Sequence, residues 1–221
     1  MVSIPVTRQP PAAHSAATTE AMIGPNAVLQ TLRAAAELEG IEYYATLAGR
    51  AYLPATDLES MIPEAWFVRL VEALRATLPW PRSEAVLRRA GEYTADYVAE
   101  NRIPALFRQA LHVLPPRLAV PLLLTAFRRH AWTFAGAGRF SAEGRYPGCI
   151  VLSGGPTCRH APHNEQAGAY YEAAFQGLLR LAAPRITVRE VACQARGDAE
   201  CRFALQTEGV TARGENPCVS S

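Results

Sequence analysis

The sequence contains no lysine, since all 22 of its basic residues are arginine. We attribute this bias to GC-rich coding DNA, although arginine also pairs with carboxylates better than lysine does. The formal net charge is only +2, and 19% of the residues are charged. This small charge gives no indication of a nucleic acid or an acidic partner. The composition is that of a soluble globular chain with one substantial core, or two small cores sharing an interface.

Long apolar runs and a leader sequence are also lacking. The longest apolar stretches, such as LAVPLLLTAF at residues 118–127, are far too short to span a bilayer. The first residues have no basic start followed by an apolar run. We therefore expect a cytoplasmic protein without a transmembrane segment, and peripheral attachment to a membrane stays open. In a reducing cytoplasm, the five cysteines are expected to be metal ligands or buried thiols more often than disulfides.

Residues 21–135 have the amphipathic periodicity of helices. Residues 1–20 before them are rich in Pro, Ala, Ser and Thr and predict a disordered tail. The first helix is bounded by Pro25 in its first turn, Asn26 as a cap and Gly40 as the stop. Further helices, separated by prolines, are predicted within residues 62–79, 83–103 (opened by a cap-like Ser83), 105–115 and 116–134.

The pattern changes after Gly136, where glycines and β-branched residues are typical of strands joined by turns. Residues 136–207 predict a small, mainly antiparallel sheet with one embedded helix and a closing hairpin around Gly197. Residues 208–221 predict a frayed polar tail. Helices first and strands later indicate an α+β fold, in which residues 21–207 form a single compact unit.

Two cysteines lie in the predicted hairpin, REVACQARGDAECRFAL at residues 189–205. If the hairpin is symmetric about Gly197, Cys193 lies opposite Cys201 with Cβ atoms roughly 4.5–5.5 Å apart. This spacing suits a shared metal ion and is slightly long for an unstrained disulfide. Glu190 could reach the same ion only through a bulge, which the slipped alternation of apolar residues favours. Zinc ligation, buried thiols and a redox pair all stay open at this point.

The same stretch resembles the closing signature of the 4-vinyl-reductase domain family: an acid, a cysteine, Gly-Asp and then Cys-X-Phe. Relatives include phenol-sensing domains of bacterial transcription activators and, more distantly, vesicle-tethering subunits. In the sensors this signature carries a structural zinc. The resemblance implies that Glu190, Cys193 and Cys201 are zinc ligands, together with a further cysteine upstream.

That upstream cysteine is where this chain departs from the family pattern, because its usual position falls near Ala167. The loop GGPTCRHAPHNEQ carries Cys158, His160 and His163, and we take Cys158 as the substitute ligand. A structural zinc site normally has four ligands. A site reduced to three ligands and a site without metal therefore stay open.

Two further blocks resemble the bacteriochlorophyll-biosynthesis members of this family, which occur in phototrophic bacteria. They are AGEYTADYVAENRIP at residues 90–104 and RRHAWTFAGAGRF at residues 128–140. With shorter matches, the resemblance covers about residues 22–207. It implies an action on the magnesium-tetrapyrrole branch of pigment synthesis. The protein would then be a carrier of magnesium porphyrins, a reductase of the vinyl group of a divinyl precursor, or a regulator that depends on a partner.

Reduction of a vinyl group requires a hydride or electron source such as NADPH, a flavin or an iron–sulfur cluster. The one glycine-rich candidate, GAGRFS at residues 136–141, follows an aromatic helical stretch and does not open a convincing helix. It therefore fails the test for a dinucleotide-binding motif. The cysteines also lack the clustered spacing of iron–sulfur ligands. We therefore favour a non-enzymatic carrier, with no catalytic residues assigned and NADPH needed only under the reductase alternative.

The segment RRHAWTF supplies the chemistry for binding a magnesium porphyrin. Arginines can pair with propionates, an imidazole can ligate magnesium axially, and aromatic rings can stack on the macrocycle. Packing of the aromatic residues in the core and solvation of the arginines explain the same pattern equally well. The predicted pigment-binding residues are Arg128, Arg129, His130, Trp132 and Phe134, with Tyr93 and Tyr97 one helical turn apart on a neighbouring helix.

The partners implied by the resemblance are a magnesium-porphyrin intermediate, the magnesium chelatase and the methyltransferase that follows it. A location at the surface of the photosynthetic membrane would suit those partners. Neither a homodimer nor the identity of the bound pigment can be predicted from the residues.

Overall fold

A computed structural model describes residues 20–54, 60–161 and 166–207, together with Cys218. The predicted tails lie outside these residues, apart from Glu20 and Cys218. Helices make up the first half of the chain, and antiparallel strands with one embedded helix make up the second. The predicted α+β fold is therefore confirmed.

The first half is built from helices that each begin directly after a proline or a glycine. Proline suits this position because its missing N–H needs no partner at the start of a helix. The helices are α1 (Asn26–Glu39), α2 (Ile41–Arg50), α3 (Glu64–Thr77), α4 (Trp80–Asn101), α5 (Ala105–Val113) and α6 (Pro116–His130).

The two side-chain caps predicted from the sequence are wrong. Pro25 occupies the cap position of α1, and Asn26 is already helical. Ser83 lies inside α4, where its hydroxyl donates to the carbonyl of Trp80 at 3.0 Å. The sequence analysis also missed α2, because that helix buries only Leu47 and therefore has little apolar periodicity.

The second half contains a sheet of four antiparallel strands in the order β3-β4-β6-β5. The strands are β3 (Arg139–Glu143), β4 (Cys149–Ser153), β5 (Ile186–Ala192) and β6 (Cys201–Thr207), and two short strands, β1 (Met22–Ile23) and β2 (Ile62–Pro63), pair separately. The register of β5 against β6 shifts between Glu190 and Ala192. The bulge predicted from the slipped alternation is therefore present at Val191.

Helix α7 (Ala169–Leu179) packs on one side against α4 and on the other against β5. Its Phe175 is the centre of an aromatic cluster that joins the helical half to the sheet. The rings whose centroids lie within 5.6–6.0 Å of Phe175 belong to Phe127, Phe134, Phe140, Tyr171 and Phe203. Both halves thus share one hydrophobic core, as a single compact unit requires.

The packing of α4 on α7 depends on a glycine. A Cβ atom on Gly91 would lie far inside van der Waals contact with the carbonyl oxygen of Tyr170, and it would meet the Cβ atom of Ala173 at 2.9 Å. A Cβ atom on Gly177 of α7 would lie 2.5 Å from the Cβ atom of Ala95 on α4. The two backbones can therefore touch only where side chains are missing or small.

Candidate functional site

Three thiols meet at the turn end of the β5–β6 hairpin. The Sγ atoms of Cys158, Cys193 and Cys201 all lie within 4.8 Å of one another. Cys201 Sγ is 3.0 Å from Cys158 Sγ and 4.0 Å from Cys193 Sγ. Tetrahedral zinc with Zn–S bonds of about 2.3 Å places its sulfur ligands about 3.8 Å apart. The cluster therefore has the dimensions of a zinc site.

The hairpin itself positions two of these thiols. Ala192 pairs with Arg202, so Cys193 at the end of β5 and Cys201 at the start of β6 are the next residues facing each other. Gly197, with φ of +95°, lies in the connecting turn. The Asp198 carboxylate accepts the backbone N–H of Cys193 at 2.7 Å and fixes the end of β5. The predicted opposition of the two cysteines is confirmed by this register.

Backbone amides point at the sulfur atoms. Ala167 N–H donates to Cys193 Sγ at 3.3 Å, and Gln194 N–H donates to Cys201 Sγ at 3.4 Å. Hydrogen bonds from the other two thiols and from the backbone amides of Ala167 and Ala195 lower the pKa of Cys193 below its ordinary value. The hydrogen bond with Cys193 raises the pKa of Cys158 to about 12. The surroundings therefore stabilise a thiolate, which is the form of cysteine that binds metal.

The bulge at Val191 turns Glu190 to the same buried side as Cys193. Glu190 is 7% exposed, and one of its oxygens accepts the N–H of Gly168 at 3.2 Å. Its other oxygen has no hydrogen-bond partner among the described residues. Burial, followed by the negative charge of Cys193, raises the pKa of Glu190 to about 8. A nearby cation would offset the cost of burying the charged carboxylate of Glu190. Glu190 is therefore suited to be a fourth ligand.

Cys158 reaches the cluster from a short turn, Pro156–Cys158, that follows β4. The turn is anchored from α3, because Arg75 donates to the carbonyl of Thr157 at 2.8 Å and Arg159 pairs with the buried Glu64 at 3.0 Å. These anchors bring Cys158 to the cluster, as predicted.

The other residues considered for this position lie elsewhere. The imidazole of His160 pairs with Glu72 on α3, and His163 lies outside the described residues. Ala167 is buried and contributes its amide to Cys193 in place of a thiol. Of the four predicted metal ligands, Cys158, Cys193 and Cys201 have Sγ atoms within 4.8 Å of one another, and the buried Glu190 interacts with Cys193.

The remaining two cysteines depart from the expectation that metal ligands or buried thiols are more common here than disulfides. Cys149 on β4 and Cys218 form a disulfide with Cα atoms 5.4 Å apart. It joins residues separated by 69 positions, and both lie with Val151 and Ala204 in a small apolar cluster separate from the main core. Spacing in the sequence could not reveal this pair, because Cys218 lies in a polar tail with no pattern of its own.

Arg128, alone among the seven residues predicted to bind pigment, lines the cavity between α6 and the β3–β4 turn. The cavity measures about 180 Å³, and its walls include Val120, Leu124, Tyr146 and Pro147. Its one carboxylate, on Glu143, pairs with Arg202. Arg128 has no ion-pair partner among the described residues, so an anion in the cavity would meet an uncompensated guanidinium.

The other six residues do not line this cavity. Arg129 and His130 are exposed at the last turn of α6, and Trp132 is 58% exposed in the turn that follows. Phe134 belongs to the aromatic cluster around Phe175, which agrees with the core interpretation of this residue.

The two tyrosines on α4 also interact with protein groups. Tyr93 lies between the guanidinium groups of Arg33 and Arg89 and donates its hydroxyl to Glu37. Tyr97 lies 5.8 Å from the guanidinium of Arg102. These contacts occur on the α1–α4 side and at the end of α4, so the structure places both tyrosines away from the α6 cavity.

Comparisons with known proteins agree with the hairpin signature and with the longer blocks. Residues 150–207 match the 4-vinyl-reductase domain. Over 189 residues the chain is 35% identical to the bacteriochlorophyll synthase 23 kDa chain of Cereibacter sphaeroides, which covers 85% of this chain and 91% of that protein. Over 193 residues it is 33% identical to the protein of the same name from Rhodobacter capsulatus, covering 86% and 89%.

Solved structures share the fold at low sequence identity. An Fe(II) unliganded H-NOX protein from K. algicida superposes with a TM-score of 0.54 and 12% identity. The match covers 84% of this chain and 97% of that one. At this identity the similarity establishes the arrangement of helices and strands and no more.

Proposed function

The chain belongs to the family of bacteriochlorophyll synthase 23 kDa chains, and from this premise we propose that it carries a magnesium-porphyrin intermediate between enzymes of the pathway. Its relatives place it in bacteriochlorophyll biosynthesis. The observation that supports pigment binding is Arg128, which has no ion-pair partner among the described residues and lines a cavity whose other walls are largely apolar. The exposed His130 and Trp132 follow it in the chain.

Magnesium porphyrins combine a flat apolar ring with carboxylates at one edge, and the cavity offers a matching pair of features. Arg128 pairs with a propionate, while Val120, Leu124 and Pro147 contact the ring edge. Hydrogen bonds between arginine and carboxylates are stronger than those between neutral groups. The low dielectric constant beside apolar side chains strengthens them further.

The size of the cavity determines how a pigment would bind. At about 180 Å³ it is smaller than the roughly 300–1,000 Å³ of sites that enclose a ligand of drug size. Only an edge of the macrocycle enters, and the rest of the ring stays outside the cavity. Such a partly open site suits a carrier, because the pigment can leave without a large rearrangement of the protein.

His130 is the proposed axial ligand of magnesium. It is the last residue of α6, exposed, and its ring has no hydrogen-bond partner among the residues that the structure describes. Neutral imidazole is a common metal ligand in proteins. Trp132, two residues further, is exposed enough for its ring to stack on the macrocycle.

The reductase alternative requires a place for NADPH, and the glycines at 136–138 do not provide one. The carboxylate of Glu64 occupies the space beside Gly136 and accepts the N–H of Ala137 at 3.0 Å. A phosphate would need that same amide, and it would meet the negative charge of Glu64. Strand β3 follows the loop, so no helix N-terminus is available there. These contacts favour the carrier.

Zinc would have a structural role in this scheme. Glu190, Cys193, Cys201 and Cys158 would hold it, and its chemistry would be to join the β5–β6 hairpin to the turn after β4. The site lies on different elements from the α6 cavity, so the metal supports the sheet and does not contact the pigment.

The magnesium chelatase and the following methyltransferase are the proposed partners, because one makes and the other consumes the magnesium porphyrin. A carrier for these two enzymes would prevent an apolar, photoreactive ring from aggregating in water.

Replacement of Arg128 tests the proposed site. We expect Arg128→Ala to weaken binding of magnesium protoporphyrin by roughly ten- to a hundredfold, since a hydrogen bond to a charged group contributes about 1.5–3 kcal/mol. His130→Ala should weaken binding and shift the absorption bands of the bound pigment, because an axial ligand is lost. Fluorescence titration measures the first effect and absorbance the second.

Arg180→Ala is the matched control for Arg128→Ala. Arg180 is an exposed arginine at the end of α7, has no ion-pair partner among the described residues and does not line the cavity. Its replacement should leave the affinity unchanged. Equal affinities for both variants and the unsubstituted protein would reject the α6 cavity as the pigment site.

A further inference from the structure

The segment that carries α5 and α6 contains no acidic residue. Between Glu100 and Glu143, residues 101–142 include six arginines and two histidines. The chain as a whole has 20 acidic residues, so this gap concentrates positive charge on one part of a nearly neutral protein. Such a local excess gives a positive surface even though the net charge is small.

The same two helices expose large apolar side chains. On α5, Leu106 is 80% exposed and Val113 is 84% exposed, and they lie seven positions apart on one face of the helix. On α6, Leu118 and Leu122 are exposed one turn apart. Helices α5 and α6 contact each other, and soluble monomers rarely leave many large apolar side chains of neighbouring helices uncovered. We call these exposed side chains the α5–α6 surface.

Exposed arginines lie near the ends of α5 and α6 in the chain and have no carboxylate partner among the described residues. Arg102, Arg117 and Arg129 are exposed, and none of them has an ion-pair partner among the described residues. Arg108 is different, because its guanidinium donates to the carbonyls of Glu100 and Ile103 and so secures the junction of α4 and α5. The other three arginines are therefore available to anions outside the protein.

Charge distinguishes the α5–α6 surface from other exposed apolar residues. Ile41 on α2 is 72% exposed, but the exposed Glu42 lies beside it in the chain. An anionic surface would be repelled there and attracted at α5 and α6.

We propose that the α5–α6 surface docks on an anionic lipid bilayer. Its leucines and valine enter the boundary between head groups and acyl chains, and the arginines contact lipid phosphates. No helix among the described residues is long and apolar enough to cross a membrane, so α5 and α6 lie along the membrane surface. This inference goes beyond pigment binding and does not depend on it.

Cosedimentation of the pigment-free full chain with vesicles tests the proposal. We expect binding to phosphatidylcholine vesicles that contain phosphatidylglycerol and little binding to phosphatidylcholine alone. Raising the salt concentration should weaken binding, because the screening length falls from about 10 Å at 0.1 M to about 3 Å at 1 M. Leu106→Glu and Val113→Glu should each reduce partitioning roughly tenfold. Both positions are highly exposed, so the variants should fold normally.

Ile41→Glu is the matched control, since it adds the same charge at another exposed apolar position and should leave vesicle binding unchanged. Equal binding to neutral and anionic vesicles, or no loss in the α5 variants, would overturn the proposal. A dimer that Leu106→Glu dissociates, without vesicle binding, would overturn it too and would assign the surface to a second copy of the chain. Titration of the same variants with magnesium protoporphyrin, without vesicles, reports separately on the α6 cavity.

Discussion

A Cys201→Ser variant should be isolated without zinc and should unfold about 8–16 °C below the unsubstituted protein. Cys201 lies between the two other thiols, 3.0 Å from Cys158 and 4.0 Å from Cys193. Removing it leaves too few ligands for a closed structural site. Glu190 then stays buried without a cation, and this uncompensated carboxyl group further lowers the stability of the fold.

The size of this effect follows from linkage between metal binding and folding. A ligand present at about a thousand times its dissociation constant stabilises the folded state by about 4 kcal/mol. In a chain of this length, each kcal/mol moves the unfolding midpoint by about 2–4 °C. Removing the metal from the unsubstituted protein with a chelator should lower the midpoint by a similar amount. Metal analysis together with a thermal melt measures both quantities.

Cys218→Ser provides the control, because it breaks the Cys149–Cys218 disulfide and leaves the three-thiol cluster intact. This variant should keep its zinc. Absence of zinc from the unsubstituted protein, with an unchanged midpoint for Cys201→Ser, would show that the three thiols are simply buried.

The second large effect is expected from a single methyl group. Gly91→Ala should destabilise the fold by about 3 kcal/mol, at the upper end of the cost of overpacking. The new Cβ atom would collide with the carbonyl oxygen of Tyr170, and a backbone atom cannot move aside as a flexible side chain can. Helices α4 and α7 would have to separate, which would disturb the core they share. Denaturant unfolding measures the loss.

Gly49→Ala is the matched control, since Gly49 also lies in a helix but a Cβ atom there would meet nothing within 4 Å. It should stabilise the protein by about 0.5–1 kcal/mol, because alanine restricts the unfolded chain more than glycine does. Equal effects at the two positions would mean that helix propensity, and not contact with α7, determines the response at Gly91.

The residues predicted correctly are those whose neighbours lie nearby in the chain. The hairpin turn at Gly197 set the register of Cys193 and Cys201, and the slip in alternation predicted the bulge that turns Glu190 inward. Cys158 was identified by residue type and by resemblance. Its position depends on Arg159 and Glu64, which are far apart in the sequence.

The neighbours of the residues proposed to bind pigment were harder to predict, because they depend on tertiary structure. Tyr93 and Tyr97 have the helical spacing of neighbours, yet the structure directs Tyr93 towards α1. Phe134 is close to His130 in sequence but packs on Phe175. Periodicity identifies which face of a helix is apolar, but it does not tell whether a protein segment or a ligand covers that face.

Titration of the purified protein with magnesium protoporphyrin, followed by absorbance and fluorescence, tests the central claim most directly. The carrier account predicts saturation at one pigment per chain. It also predicts that divinyl protochlorophyllide keeps its spectrum when NADPH is added to the complex. Conversion to the monovinyl product would contradict the carrier account and would establish a reductase. If neither pigment binds, the carrier account is contradicted as well, and a regulator that acts through a partner remains.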